Sequence, residues 1–371
     1  MKTFAELLAS TQTLNSSYSP VMLRLSKEDD LRTFENLFEK GDIAFVHDAI
    51  LSQLKELIKT HHPSVKIAED QYCELINSHL NGIEINNYGV WAYYPWNRRI
   101  VHILDEDEFI AVRTNRNRNK ITTEEQSVLK SKKIGVIGLS VGQSIAATLA
   151  TERTCGEIRL ADFDTVELSN LNRIRTGVQN LESNKAVIAA REIMEIDPFI
   201  KVKIFTDGLT QGNMAAFLQE DGCLDLLVEV CDGLETKLKS RFEARRLKIP
   251  VVMDTNDRGM LDVERFDLEP YRSILHGKLD AFTDNDSITI TDQNRRQILM
   301  SILSFDSLSN RMKLSMTEIG KSINAWPQLA SSVVLGGAIT TEIARRILLN
   351  QHHHSGRYYV DLEEIFDHTT T

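Results

Sequence analysis

The stretch KKIGVIGLSVGQSIAATLATE, residues 132–152, constrains the fold of this chain more than any other. An apolar run of strand length, Ile134 to Ile137, enters a turn holding Gly138, Ser140 and Gly142, and the turn opens a helix of small residues. EIRLADFD then reads as a second strand and SNKAVIAAREIMEIDP as a second helix, while LDLLVEVCD and IPVVMDT are further strand-length apolar runs with a helical stretch between them. Strand alternating with helix over about 125 residues implies a doubly wound, mainly parallel α/β sheet.

The flanks read differently. Residues 26–60 carry apolar positions at helical spacing, Leu31, Phe34 and Leu37 in one set and Ile50, Leu54 and Leu57 in another, which predicts a helical opening segment. From Tyr88 to Val112, aromatic and β-branched residues around Pro95 predict strands and a turn. The expected organisation is a smaller N-terminal α+β domain over residues 1–112 and the large domain over 113–371, where Thr122 or Thr123 caps a helix with Glu124 and Glu125 in its first turn. After Pro270 the pattern loosens into helix-like RRQILMSIL and LASSVVLGGAITTEIARRILL and a closing strand RYYVDLEEIF.

A formal charge of −10 argues against general nucleic-acid binding or an anionic-membrane surface. Four cysteines lie far apart without a C-x-x-C pair, so no zinc site or disulfide framework is expected, and reduced thiols fit a cytoplasmic protein. The opening MKTFAELLASTQTLNSSYS lacks the flanks of a signal peptide, and no apolar run reaches the length of a membrane span. The triplet His352 to His354 reads as a polar loop rather than a metal site.

A glycine turn between strand and helix brings backbone close to phosphate at a helix N-terminus, where N–H groups and the dipole favour an anion. Asp162, 24 residues after Gly138 at the end of the second strand, is placed to accept from ribose hydroxyls, and Asp164 shares its side of an extended backbone. To this point a nicotinamide enzyme and an ATP enzyme are equally good readings. They diverge at SNLNR, residues 169–173, followed by Lys185 and by Asp232 after the apolar strand. Hydride transfer has no use for an arginine, a lysine and a further acid around the phosphates, whereas phosphate chemistry needs cations on the polyphosphate and a carboxylate for magnesium.

D-x-D-x-V-x-x-S-N-L-N-R, then N-K, then an acid after the fourth strand resemble the adenylating domain of the ThiF/MoeB and ubiquitin-activating-enzyme superfamily. The likeness is strong from Arg113 to Pro270. LSVG, SNLNRIR, NDRGMLDVERFDLEP and YYPWNRRIVH look most like bacterial ThiF-type domains fused to a nitroreductase-like domain, which a chain ending at Thr371 is too short to include. The resemblance implies a Rossmann-like sheet, ATP and Mg2+ as cofactors, and attack of a carboxylate on the α-phosphorus of ATP. It implies Asp162 on the ribose, Arg173 and Lys185 on the triphosphate, Asp232 on the magnesium and Asn170 beside the phosphates. It also implies a homodimer in which an arginine before the first strand, here Arg116 of the run RTNRNRN, reaches the other subunit's nucleotide.

Two departures stand out. Ser140 takes the place of the second glycine of the phosphate turn, or the turn is one residue short. No cysteine follows Cys231, and Cys231 reads as a core residue, so no enzyme thioester is expected after adenylation. Asp257 and Arg258, after the fifth strand, are placed for substrate contact or for a turn with a salt bridge. The expected partner is a carboxylate-bearing protein, peptide or small molecule, with a separately encoded nitroreductase-like protein as a further one. The competing functions are an NAD-binding or nitroreductase-associated protein and a non-catalytic nucleotide-binding scaffold.

Overall fold

The computed structural model describes residues 16–284 and 287–367, so the first fifteen residues of the stretch weighed above as a signal peptide lie outside the described residues. The chain folds into two compact units that meet in sequence between Thr122 and Thr123. Among the described residues no helix is long and apolar enough to cross a membrane.

The N-terminal unit runs β1 (Val21–Leu23), α1 (Glu28–Glu39), β2 (Phe45–Asp48), α2 (Ile50–His61), α3 (Gln71–Leu80), β3 (Val90–Tyr94), β4 (Arg99–Ile103) and α4 (Glu106–Arg113). Its sheet has the order β1-β3-β4-β2, with β3 and β4 antiparallel across the Pro95 turn and β2 parallel to β4. Ile50, Leu54 and Leu57 of α2 are buried with Tyr72 and Ile76 of α3, whereas Phe34 and Leu37 pack on Trp91, Tyr93 and Ile100.

Two expectations change here. The opening segment is not continuously helical, because residues 45–48 pair with β4. Residues 106–113, read as strand from their β-branched content, form α4. The Asp105 side chain caps it by accepting from Glu106 N, and three acidic residues in the first turn favour the helix dipole, local terms that outweigh the β preference of Phe109, Ile110 and Val112.

The C-terminal unit begins with α5 (Thr123–Lys130) and continues β5 (Lys133–Ile137), α6 (Gly142–Glu152), β6 (Glu157–Ala161), α7 (Lys185–Ile196), β7 (Lys201–Phe205), α8 (Met214–Gln219), β8 (Leu226–Glu229), α9 (Leu234–Arg246), β9 (Val251–Asp254) and β10 (Met260–Glu264). It closes with α10 (Arg295–Leu303), α11 (Asn310–Glu318), α12 (Ala330–Leu348), β11 (Gly356–Tyr359) and α13 (Leu362–Asp367). Seven strands lie in the order β11-β10-β9-β8-β5-β6-β7. The five from β9 to β7 are parallel, and β10 and β11 add antiparallel at one edge.

Every residue of β6, β8 and β9 is buried, the signature of strands covered on both faces, and each large aliphatic side chain there stabilises by about 1.5–3 kcal/mol. RYYVDLEEIF divides rather than forming one strand. Asp361 Oδ1 accepts from Glu363 N at 3.1 Å and Glu364 N at 3.3 Å, which starts α13.

From β5 the chain moves to β6 and β7 on one side and returns to β8 and β9 on the other. The C-terminal ends of β5 and β8 therefore flank the crevice where such sheets place ligands.

Candidate active site

At the end of β5, Gly138 adopts φ +88°, and a Cβ added there would fall 2.8 Å from both Cys231 Cα and Val230 O. The glycine turn thus lies directly against the end of β8, one residue from Asp232. Gly142 opens α6 and serves packing, since its Cβ would sit 2.8 Å from Val136 Cγ1 and 3.1 Å from Val230 Cγ2. The result is an eleven-residue helix whose first N–H groups face the turn.

Asp162 fixes this turn from the next strand. Its Oδ2 accepts from Leu139 N at 2.6 Å and its Oδ1 from Asp164 N at 2.8 Å. Burial pushes its carboxyl up, opposed by those two N–H groups and by the Lys185 charge. Lys185 is nearly buried at the first position of α7, after Asn184 caps the helix by accepting from Ala186 N and Val187 N. Its Nζ donates to Asp164 Oδ2 at 2.9 Å and its backbone N to Asp164 O at 2.9 Å.

SNLNR falls on the 3-10 turn Leu168–Asn172 and its C-cap Arg173, held by a reciprocal cap in which Glu167 N donates to Asn170 Oδ1 at 3.1 Å, so buried Asn170 shapes the loop. The turn projects Arg173, whose Nε donates to Ser140 Oγ at 3.1 Å and whose Nη1 donates to Asn172 Oδ1 at 2.9 Å. Partial burial lowers the Arg173 pKa, and Asp232 is the foremost charge opposing this. Ser140, which looks like a lost glycine in the sequence, supplies the hydroxyl that holds Arg173 over the turn.

The structure brings Gly138, Ser140, Gly142, Asp162, Asp164, Asn170, Arg173, Lys185 and Asp232 to the C-terminal ends of β5, β6 and β8. Arg116 belongs to the other unit, exposed on the 3-10 turn Asn115–Asn117. Cys231 is half-buried, and desolvation and the Glu229 carboxylate push its thiol up, so it stays protonated at neutral pH. Asp257 accepts from Ser309 Oγ at 2.6 Å, and Arg258 pairs with Asp361 at 2.5 Å and Glu364 at 3.0 Å, so both hold the C-terminal segments in place.

Beyond Asp232 opens a cavity of about 770 Å³. Leu299, Ile302, Met312, Trp326 and Leu335 supply apolar wall, and Asp254 and Asn256 line it from the end of β9. Asn172 Nδ2 donates to Gln328 O at 2.8 Å, which joins the arginine-bearing turn to the cavity rim. Sequence reading missed Asp254 and residues 326–329. The one signal for Asp254 was an acid closing the apolar run IPVVMD; nothing local marks the rim, which is assembled by tertiary packing. Among the described residues no group of three or more His, Cys, Asp or Glu is arranged around a metal position.

The model of the ThiF family matches residues 114–255. An uncharacterised protein of Mycobacterium tuberculosis is 46% identical over 277 residues, which cover 75% of this chain and 38% of that protein. The tRNA threonylcarbamoyladenosine dehydratase of Bacillus subtilis is 21% identical over 252 residues, 63% of this chain and 95% of the relative. Among solved structures, the Escherichia coli enzyme of that name in complex with ATP aligns with a TM-score of 0.47 at 18% identity, covering 66% of this chain and 97% of that one. This chain thus spans well under half of its mycobacterial relative. Residues 114–255 are a ThiF family domain, with homologues across the ThiF/MoeB and ubiquitin-activating-enzyme superfamily.

Proposed function

We propose that this chain is an ATP-dependent adenylyltransferase that activates a carboxylate as its acyl adenylate, releasing pyrophosphate. The observation that carries this reading is a single crevice in which Arg173 and Lys185 stand beside the glycine turn while the Asp232 turn opens into an apolar-walled cavity. The cavity is the size of a small-molecule site. In this reading residues 113–371 act as the adenylation domain and residues 1–112 as its appendage.

Each Asp162 oxygen accepts one backbone N–H and retains a lone pair, so the carboxylate is already oriented to receive ribose hydroxyls. Arg173 and Lys185 take the polyphosphate. Two anions must meet for the carboxylate to reach the α-phosphorus; fixed cations reduce that repulsion and stabilise charge developing on the leaving pyrophosphate. Lys185 would exchange part of its pairing with Asp164 for phosphate, and Arg173 is aimed by Ser140 before any ligand arrives.

Asp232 is an exposed carboxylate on the crevice wall, and a nucleotide-bound magnesium ion needs only one or two protein carboxylates, so Asp232 is suited to hold one. Held there, such an ion would supply further neutralisation of the phosphates. The same reading includes a cytoplasmic homodimer with Arg116 reaching a second copy's nucleotide, and an acyl substrate that is a protein C-terminus, a peptide or a small carboxylate.

The test is ATP–pyrophosphate exchange with magnesium and a panel of carboxylates, with Asp232→Ala as control. We expect exchange that falls at least about a hundredfold in the variant, the scale of losing one preorganised electrostatic contact. Tight ATP binding without exchange by any acid, or NAD binding in place of ATP, overturns the proposal.

A further inference from the structure

The turn that carries Arg173 must be held at both ends if the guanidinium is to keep one place over the glycine turn. Its entry is fixed by the Glu167–Asn170 cap, and Arg173 N and Ile174 N both donate to Asn170 O, at 3.1 and 2.9 Å. Its exit is held differently. Among the described residues neither the N–H nor the C=O of Arg175 has a backbone partner, and one side chain serves both.

That side chain is Gln143. Its Oε1 accepts from Arg175 N at 3.1 Å and its Nε2 donates to Arg175 O at 2.9 Å, so the amide pairs with this residue as a neighbouring strand would. Nε2 also donates to Glu192 Oε2 on α7 at 2.7 Å. Gln143 is 3% exposed, and all three bonds require the same orientation of its amide. An apolar side chain of that length would fill the space as well; the amide is needed for what it holds. Gln143 is the second residue of α6, three after Ser140. The glycine turn and the helix it opens thus hold Arg173 twice, by its guanidinium through Ser140 Oγ and by its backbone, two residues on, through Gln143. Glu192 extends the hold to α7, the helix that begins at Lys185.

We propose that Gln143 is a positioning residue for the polyphosphate end of the nucleotide, locking the Arg173 turn against the start of α6, with Glu192 anchoring it from α7. It touches no substrate and acts through Arg173. This rests on the adenylation reading for what Arg173 contacts, but the clamp itself is testable without any nucleotide. Electrostatic stabilisation depends on cations held in place before the charge develops, and a turn fastened at one end only would leave Arg173 free to swing away from the phosphates.

The first measurement is hydrogen exchange, read by mass spectrometry on the ligand-free full chain. Gln143→Met keeps the length of the side chain and removes its amide, and circular dichroism checks its fold. Residues 168–176 should exchange at least about tenfold faster in the variant while strand β5 keeps its protection. Equal protection of 168–176 in both proteins overturns the clamp. If Gln143→Met loosens β5 as well, the comparison is made on Glu192→Met, which removes only the anchor and should also speed exchange of 168–176, with Glu192→Gln, which keeps an acceptor, restoring it. No change in Glu192→Met, or no restoration by Glu192→Gln, then overturns the clamp.

The second is calorimetric titration of ATP and of adenosine. Adenosine reports the ribose end at Asp162 and ATP adds the phosphates, so the ratio of the two affinities isolates the Arg173 end. Gln143→Met should cut this ratio about tenfold, the scale of losing one hydrogen bond to a charged group, and leave adenosine within about twofold. In an Arg173→Ala background the same substitution should move the ratio by less than about twofold, because its effect passes through that arginine. A loss that persists without Arg173, or an equal loss for adenosine, marks a merely structural role and overturns the proposal. A parent protein that binds ATP no more tightly than adenosine, with the exchange result as expected, leaves the clamp standing and removes the adenylation reading together with the clamp's part in it. A parent preference for ATP that Gln143→Met leaves intact removes the proposal and spares that reading.

Discussion

Replacing Asp254 by Asn should make the ligand-free protein more stable in alkali and leave it unchanged in acid. The carboxyl is 4% exposed, and burial raises it from 3.8 to about 7 with only one backbone N–H opposing the shift. A carboxyl raised in the folded state binds its proton more tightly there than in the unfolded chain, so its contribution is fully present below about pH 4. That contribution fades as pH rises between the two values and is gone above about 7. The shift spans roughly three units, and at 1.36 kcal/mol per unit the parent loses on the order of 4 kcal/mol across the window. The amide cannot ionise and escapes this loss.

Urea unfolding of both proteins at pH 5, 6, 7 and 8 reads the effect as a gap in midpoint that opens with pH at constant m-value. Glu192, a second acid that burial holds at about 7, titrates in both proteins and cancels in the difference. A gap that stays the same from pH 5 to pH 8 would refute the reasoning, because it would mean that Asp254 finds a partner and ionises normally when folded.

Gly138→Ala should lower stability by about 2–5 kcal/mol, since alanine at φ +88° is strained and its Cβ meets unyielding backbone of residues 230 and 231; an unchanged urea midpoint would contradict the close approach of turn and strand. Ser140→Ala should leave the melting midpoint nearly unchanged yet weaken ATP about fivefold by calorimetry, the worth of about 1 kcal/mol for one hydrogen bond aiming Arg173. Unaltered ATP affinity in that variant would show that the arginine is positioned without the serine.

The parallel sheet, and the gathering of the predicted polar residues at its strand ends, were legible because their signals are local. The run to Ile137, the turn at Gly138 and the small-residue helix set a strand end, a tight turn and a helix N-terminus at one point of the chain, and Asp162 follows from the next strand end. The buried faces of β6, β8 and β9 write near-continuous apolar runs. Strand β7, KVKIF, alternates charged and apolar residues because it lies at the sheet edge, and so carries no such run. Helix α4 was misread because its cap and acidic first turn compete with a β-branched interior, and the sequence alone does not say which term prevails. Ser140 was legible as a departure from a pattern but not as a hydrogen-bond partner, since Arg173 lies 33 residues away and only the 3-10 turn brings it back.

The second half of the site is hidden for a different reason. The cavity walls come from β9, α10, α11, α12 and the segment 326–329, and these meet only after the sheet has formed. Gly336 illustrates the point: in sequence it is a helix-weakening residue in the middle of α12, yet any side chain there would enter the Asp254 carboxyl. The helix accepts about 1 kcal/mol of lost propensity so that a buried acid can sit beside it. Substitutions on α10, α11 and α12 can therefore reshape the cavity without touching Gly138, Asp162, Arg173 or Lys185. By that separation the glycine-turn pattern is legible in sequence while the cavity is not, since the cavity depends on long-range contacts such as Gly336 against Asp254 and Asn172 against Gln328.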